Sequence, residues 1–189
     1  PPKLAVAPTL LQARLMMPRE KMARDRKEKV PAAPPPTSET SGLDMQCRQK
    51  GGTTVMLRNI PNNYHRAGLL DLLDKKGLRG LYDFVYLPLD FRTGAALGYA
   101  FVNLTDPKYV PRLWSALDRL SQWAMPSRKR CSVTWSHPYQ GFEDNVERYR
   151  NSPVMHASIP DSHKPVVFQG SVRVPFPPPT KVIKPPRIR

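Results

Sequence analysis

Two aromatic residues alternate with small and branched residues in the segment LGYAFVNL, residues 97–104. Successive side chains of a β-strand point to opposite faces of a sheet, so Tyr99 and Phe101 share one face and Ala100 and Val102 the other. The small and branched residues suit a face packed under helices. Two large rings on the opposite face indicate a partner that covers them. The alternative is an ordinary strand that is buried on both faces.

The positions of proline and of the aromatic residues indicate where the folded domain lies. Residues 51–150 hold 6 of the 23 prolines but 14 of the 16 aromatic residues. A hydrophobic core needs aromatic residues and is disrupted by proline, so one small domain is predicted in this middle part. The flanks lack the apolar surface that would offset their ordering entropy. We therefore expect a disordered basic arm over residues 1–52 and a Pro-rich basic tail over residues 153–189.

The net charge of +15 is spread along the whole chain. Basic charge beside exposed rings suits a polyanion, because each neutralised phosphate releases counterions. Cys47, Cys131 and the four scattered histidines show no metal-ligand spacing, so neither a cofactor nor a disulfide framework is expected. The sequence shows no positioned general base and no phosphate-cradling glycine loop, which predicts that the chain is not an enzyme. It also shows no membrane-spanning run and no signal peptide, so we expect a reducing nuclear or cytoplasmic location.

The pattern of apolar residues predicts two similar halves around the aromatic segment. Strands are predicted at Thr53–Ile60, Tyr82–Leu89 and Cys131–Ser136, and helices at Arg66–Lys76 and after Asp106. Pro111 should distort the first turn of the second helix, because its ring nitrogen cannot donate a hydrogen bond. The order strand, helix, strand, strand, helix, strand predicts a ferredoxin-like α+β fold over residues 53–138. This fold is a four-stranded antiparallel sheet with both helices on one face.

The alternation along three of these strands predicts a platform on the face that the helices leave open. Its side chains are Met56, Arg58, Phe84, Tyr86, Tyr99 and Phe101. Unstacked bases of single-stranded RNA lie on such rings, and each stacked base contributes about 1–3 kcal/mol. The sequence therefore predicts single-stranded RNA as the partner, bound by stacking beside a cation.

Several motifs of the chain resemble one family. Residues 98–102, GYAFV, match the octamer pattern of RNA-recognition motifs (RRMs), and residues 55–60, VMLRNI, resemble their second conserved hexamer. The runs TTVMLRNIPNNY, LLDLLD, YDFVYLPLDF and GYAFVNLTDP resemble the C-terminal RRM of the Mei-two-like proteins. These are fungal, plant and algal regulators named for a fission-yeast protein that drives meiosis by binding RNA. The resemblance continues through Gln140-Gly141 and residues 151–155, NSPVM.

The resemblance implies an RRM that binds RNA as a post-transcriptional regulator. It implies that Tyr99, Phe101, Met56, Arg58 and Asn59 face the RNA, with Tyr86 and Ser136 at the margins. Met56 stands where the family usually has an aromatic residue, so one of three stacking rings is absent. We expect a monomer without a small-molecule substrate, whose basic or Pro-rich arms are available to a protein partner.

A third helix is predicted after the sheet, within residues 139–152, because Phe142, Val146 and Tyr149 follow helical spacing. The helix has two possible positions on the domain. It could pack at the domain edge and extend the binding surface, or it could lie across the aromatic face. In the second case the alternative function is a protein–protein interaction module whose sheet face is covered.

Overall fold

The computed structural model describes residues 46–47 and 50–186, and the predicted order of elements forms its centre. The strands are β1 (Thr54–Arg58), β2 (Tyr82–Tyr86), β3 (Tyr99–Leu104), β4 (Ser132–Trp135), β5 (Val166–Gln169) and β6 (Val172–Val174). The helices are α1 (Arg66–Lys75), α2 (Val110–Leu117) and α3 (Phe142–Arg150). The strand order is β4-β1-β3-β2-β5-β6, with antiparallel neighbours. The α+β class is confirmed, and the expected four strands are extended to six.

The predicted basic arm lies outside the described residues, apart from residues 46–47 and 50–52. Nothing in the structure therefore tests the expectation of disorder over residues 1–52. The described chain joins the sheet at Thr54, the first residue of β1.

The main core lies between the sheet and the helices α1 and α2. The strands supply Val55, Leu57, Val85, Ala100 and Val102, and the helices supply Leu69, Leu73, Leu113 and Leu117. Because the register is irregular between Tyr82 and Phe84, both Tyr82 and Val85 point toward this core. The inward alternation predicted for β1, β2 and β3 is confirmed, because each of these strands buries its small and branched residues here.

The start of α2 shows how the chain accommodates Pro111. Asp106 caps a 3-10 turn over Pro107–Tyr109, and its Oδ1 accepts from the Lys108 backbone N–H at 2.9 Å. The α-helix itself begins only at Val110, so Pro111 lies in its first turn. A residue in the first turn has no helical acceptor for its N–H, so proline costs little there. The predicted distortion therefore takes the form of a 3-10 turn that precedes the helix.

The chain after α3 contains more regular structure than the Pro-rich basic tail that was expected over residues 153–189. It makes 3-10 turns at Pro153–Met155 and Asp161–His163, and then the β5–β6 hairpin, whose first strand pairs with β2. The segment 166–174, VVFQGSVRV, has enough β-branched residues for two short strands. Its Phe168 ring packs edge-on against Tyr82, with 5.1 Å between the ring centroids. The proline count of the whole tail concealed this pattern.

Asp161 links the chain after α3 to the rest of the domain through ion pairs. Its carboxylate accepts from Arg66 of α1 at 2.6 Å and from Arg173 of β6 at 2.9 and 2.5 Å. The hydrogen bonds from Arg173, and then those from Arg66, hold the pKa of Asp161 well below its usual value. A carboxyl whose pKa is depressed by folding stabilises the fold above the pKa of the unfolded chain, near 3.9. That contribution is lost as the pH falls toward the folded-state pKa.

Replacing Asp161 with Asn should lower the free energy of unfolding near pH 7 and should matter less in acid. The Asp161 side chain is 61% exposed, so we expect a loss of no more than about 1 kcal/mol. Urea unfolding at pH 7 and pH 3 measures the change, with Asp71→Asn as the control for an exposed ion pair with Lys75. A loss for Asp161→Asn that is the same at both pH values would contradict the ion-pair account.

Candidate nucleic-acid interface

The face of the sheet opposite α1 and α2 carries a block of six side chains from three neighbouring strands. The register places Arg58 opposite Tyr99 and Met56 opposite Phe101 between β1 and β3. It also places Phe101 opposite Tyr86 between β3 and β2. Cross-strand neighbours on one face lie about 5 Å apart, close enough for rings to touch. The structure therefore brings the predicted platform residues together.

Helix α3 lies over one half of this block. The Tyr149 ring stacks on Phe84 with 5.7 Å between centroids and meets Tyr86 edge-on at 4.7 Å. Phe176, beyond β6, approaches Phe84 from another side at 6.5 Å. Phe84 is fully buried and Tyr86 is 8% exposed. The expectation that both rings lie open on the face is corrected, because Tyr149 and Phe176 use them as packing partners. We call Phe84 and Tyr86 the covered half.

The other half of the face remains accessible, and we call Arg58, Asn59 and Tyr99 the open half. Tyr99 is half-buried and meets Phe101 edge-on, with 5.7 Å between the ring centroids. Phe101 lies at the border, since it is half-buried and packs against the cluster around Phe84. The guanidinium of Arg58 makes no hydrogen bond or ion pair within the described residues. The open half therefore combines an available ring with a cation that has no anionic partner there.

The remaining predicted residues occupy different environments. Asn59 is exposed in a left-handed conformation with φ of 61°, and its Nδ2 donates to the Arg130 carbonyl at 2.9 Å. Met56 and Ser136 are buried. The Ser136 carbonyl accepts from Gln140 Nε2 at 2.7 Å. Contact with RNA stays a prediction for all eight residues, and the structure leaves Tyr99, Phe101, Arg58 and Asn59 accessible to it.

Buried hydrogen bonds fix the start of α3 on the sheet. Thr54 Oγ1 donates to Asn103 Oδ1 at 2.7 Å and accepts from the Gly141 backbone N–H at 2.9 Å and from Asn145 Nδ2 at 3.0 Å. Asn103 Nδ2 then donates to Asp83 at 2.7 Å. The chain Asn145–Thr54–Asn103–Asp83 crosses β1, β3 and β2, and we call it the polar bridge. Burial raises the pKa of Asp83, and the hydrogen bond from Asn103 opposes that rise.

Gln140 completes the attachment with four hydrogen bonds. Its Oε1 accepts from the backbone N–H groups of Thr53 and Thr54 at 3.0 and 2.9 Å. Its Nε2 donates to the carbonyls of Thr54 and Ser136 at 2.8 and 2.7 Å. Sequence reasoning singled out Gln140 only within the family resemblance, and it missed Thr54, Asn103 and Asn145. The available signal was an asparagine inside an otherwise apolar strand, where an unpaired amide is costly.

The tyrosines on and beside the sheet face carry no negative charge at neutral pH. Burial raises the pKa of the Tyr86, Tyr149 and Tyr99 hydroxyls above the usual value near 10. Basic side chains lie at the other margin of the face. Lys129 Nζ donates to the Ile60 carbonyl at 3.0 Å. Arg128 and Arg130 beside it are exposed. A neutral aromatic face with a basic margin suits a polyanion.

Residues 46–47 and 50–186 contain no group of three or more His, Cys, Asp or Glu side chains that could hold a metal ion. Within the same part of the chain, no helix has the length and apolar character needed to cross a bilayer.

The strand order at the centre of the sheet and the aromatic β3 define an RRM domain. The family model "RNA recognition motif 2" matches residues 52–150, which is more than half of the chain. The chain belongs to this family, the Mei-two-like type of RRM. Membership of this family supports RNA binding by the chain.

Individual relatives are similar over the same region. Protein terminal ear1 of Zea mays is 38% identical over 146 residues, which cover 70% of this chain and 21% of that protein. Meiosis protein mei2 of Schizosaccharomyces pombe is 33% identical over 145 residues, or 74% of this chain and 18% of that protein. The match thus spans about a fifth of each relative's length. The solved structure of the Rna15 RRM with bound RNA (GU) is 20% identical, covers 50% of this chain and 94% of that chain, and has a TM-score of 0.40.

Replacing Asn145 with Ala should destabilise the domain by about 1–3 kcal/mol, because Thr54 Oγ1 and the Gly141 carbonyl each lose a buried donor. Urea unfolding followed by tryptophan fluorescence measures the change. The matched control is Asn63→Ala, since Asn63 is an exposed loop asparagine and should change stability by less than about 0.5 kcal/mol. Equal effects of the two substitutions would show that the polar bridge does not hold α3.

Proposed function

We propose that this domain binds single-stranded RNA through the open half of its sheet face and acts in post-transcriptional regulation of the Mei-two-like type. The observation that carries the proposal is the half-buried Tyr99 ring on the central strand, beside the Arg58 guanidinium, which has no ion pair with any residue that the structure describes. A flat ring offers a stacking surface to any base, and the cation neutralises a backbone phosphate. Duplex nucleic acid fits poorly, because bases within a helix cannot stack on a sheet.

The position of α3 favours RNA over a protein ligand for this face. A helix that covered Tyr99 would have favoured a protein-interaction module. The Tyr149 ring of α3 contacts Phe84 and Tyr86. Tyr99 contacts Phe101 and stands outside the cluster that α3 buries. The bound strand therefore runs over β3 and β1, and the rings of Tyr99 and Phe101 each stack one base.

A nuclear or cytoplasmic site of action follows from the proposed ligand, since single-stranded RNA is found in those compartments. The protein binds its RNA as a monomer, because one sheet face supplies both the ring and the cation. The net charge of +15 adds affinity that does not depend on sequence. This part of the affinity should fall steeply with salt, while the stacking part should not.

Replacing Tyr99 with Leu should weaken binding of a randomised single-stranded RNA pool by about 1–3 kcal/mol, because the side chain keeps its apolar bulk but loses its stacking surface. Tyr99→Phe is the matched control and should bind within about twofold of the parent, since it keeps the ring. Fluorescence anisotropy at two salt concentrations separates stacking from charge. If the Leu and Phe variants bind with equal affinity, stacking on Tyr99 is ruled out.

A further inference from the structure

Helix α3 carries a cation whose charge is not neutralised within the described residues. The Arg148 guanidinium carbon lies 5.3 Å from the centroid of the Tyr139 ring and 5.7 Å from that of Tyr149. Arg148 is exposed and makes no hydrogen bond or ion pair with any described residue. By contrast, Arg150 of the same helix is paired with Glu147 and also donates to the Pro178 carbonyl at 3.1 and 2.9 Å.

A continuous group of rings connects Arg148 to the open half of the sheet face. Tyr149 meets Tyr86 at 4.7 Å, Tyr86 lies opposite Phe101 in the register, and Phe101 meets Tyr99 at 5.7 Å. Burial is the main cause of the raised pKa of Tyr86, and smaller effects of Tyr149, Tyr99 and Arg148 follow. The electrostatic effects of Tyr99 and of Arg148 thus both reach the Tyr86 hydroxyl. Arg148 therefore contacts the first ring of a series that ends at Tyr99.

Both ends of α3 are fixed, so the position of Arg148 is set before any ligand arrives. The polar bridge and Gln140 hold the first turn. At the last turn, Asn151 Nδ2 donates to Thr180 Oγ1 at 2.9 Å, and the Thr180 backbone N–H donates to Asn151 Oδ1 at 3.0 Å. A side chain that is already ordered loses less entropy on binding than a mobile one.

The two rings hold Arg148 in a way that leaves its hydrogen-bond donors available. Cation–π contact uses the faces of Tyr139 and Tyr149 and takes up none of the guanidinium N–H groups. Tyr139 is 39% exposed, so this cation and ring reach the surface together. A planar guanidinium donates two parallel hydrogen bonds to a phosphate, which fits it better than a lysine ammonium does.

We propose that Arg148, held by Tyr139 and Tyr149, binds a backbone phosphate of the same RNA strand whose base stacks on Tyr99. The inference rests on the proposed function. It makes α3 part of the RNA-binding surface, in addition to its role of covering Phe84 and Tyr86. The ligand class is a phosphodiester of single-stranded RNA, contacted by a bidentate guanidinium. The RNA site is therefore composite, with stacking from β3 and phosphate binding from α3.

Replacing Arg148 with Ala should lower affinity for the single-stranded pool roughly tenfold, which is the expected size for a charge-assisted hydrogen bond. It should also reduce the slope of log affinity against log salt by about 0.7, the value for one phosphate contact on a single strand. Arg148→Lys should keep the slope but recover only part of the affinity, because ammonium lacks the planar fork.

The matched control is Arg112→Ala, which removes one positive charge from α2 on the opposite side of the sheet. Arg112 is exposed, and its loss should leave affinity within about twofold of the parent. If Arg148→Ala and Arg112→Ala behave alike while Tyr99→Leu weakens binding, the role of α3 is overturned and the proposed function stands. If Arg148→Ala weakens binding and Tyr99→Leu does not, both proposals fail, because the shared strand would then not stack on the sheet.

Discussion

The hydroxyl of Thr54 is the point on which the arrangement of this domain depends. It is fully buried, it donates to Asn103, and it accepts from the first residues at the start of α3. Each of these groups would cost free energy if it were buried without a partner. The position of α3 on the sheet therefore requires these hydrogen bonds to form together. The boundary between the covered and open halves of the sheet face therefore depends on this hydroxyl and on the side-chain amides of Asn103, Asn145 and Gln140.

This boundary gives similar aromatic residues different tasks. Phe84 and Tyr86 anchor a second hydrophobic cluster with Val146, and they stabilise the domain by packing. Tyr99 lies outside that cluster, where its ring can meet a ligand. An alternating aromatic strand is thus necessary for a stacking surface but not sufficient, because the next element of the chain decides which rings stay available.

The elements of the central fold could be predicted from sequence because each has a local cause. Alternation placed Tyr99 and Phe101 on one face, and the spacing of Val146 and Tyr149 predicted α3. The position of α3 on the sheet could not be predicted in the same way, since it depends on contacts between residues about 90 positions apart, such as Thr54 and Asn145. The β5–β6 hairpin was missed because its two strands are short and lie within a proline-rich region. The burial of Phe84 and Tyr86 follows from one of the two positions that the sequence left open for α3, and no local pattern chose between them.

The β5–β6 hairpin also changes how the sheet ends. Pairing with β5 occupies the outer edge of β2, so the edge on this side passes to the three-residue strand β6. The middle residue of that strand is Arg173, whose guanidinium is paired with Asp161. A short edge that carries charge is a poor template for strands of another molecule, so the hairpin also protects the domain from edge-to-edge aggregation.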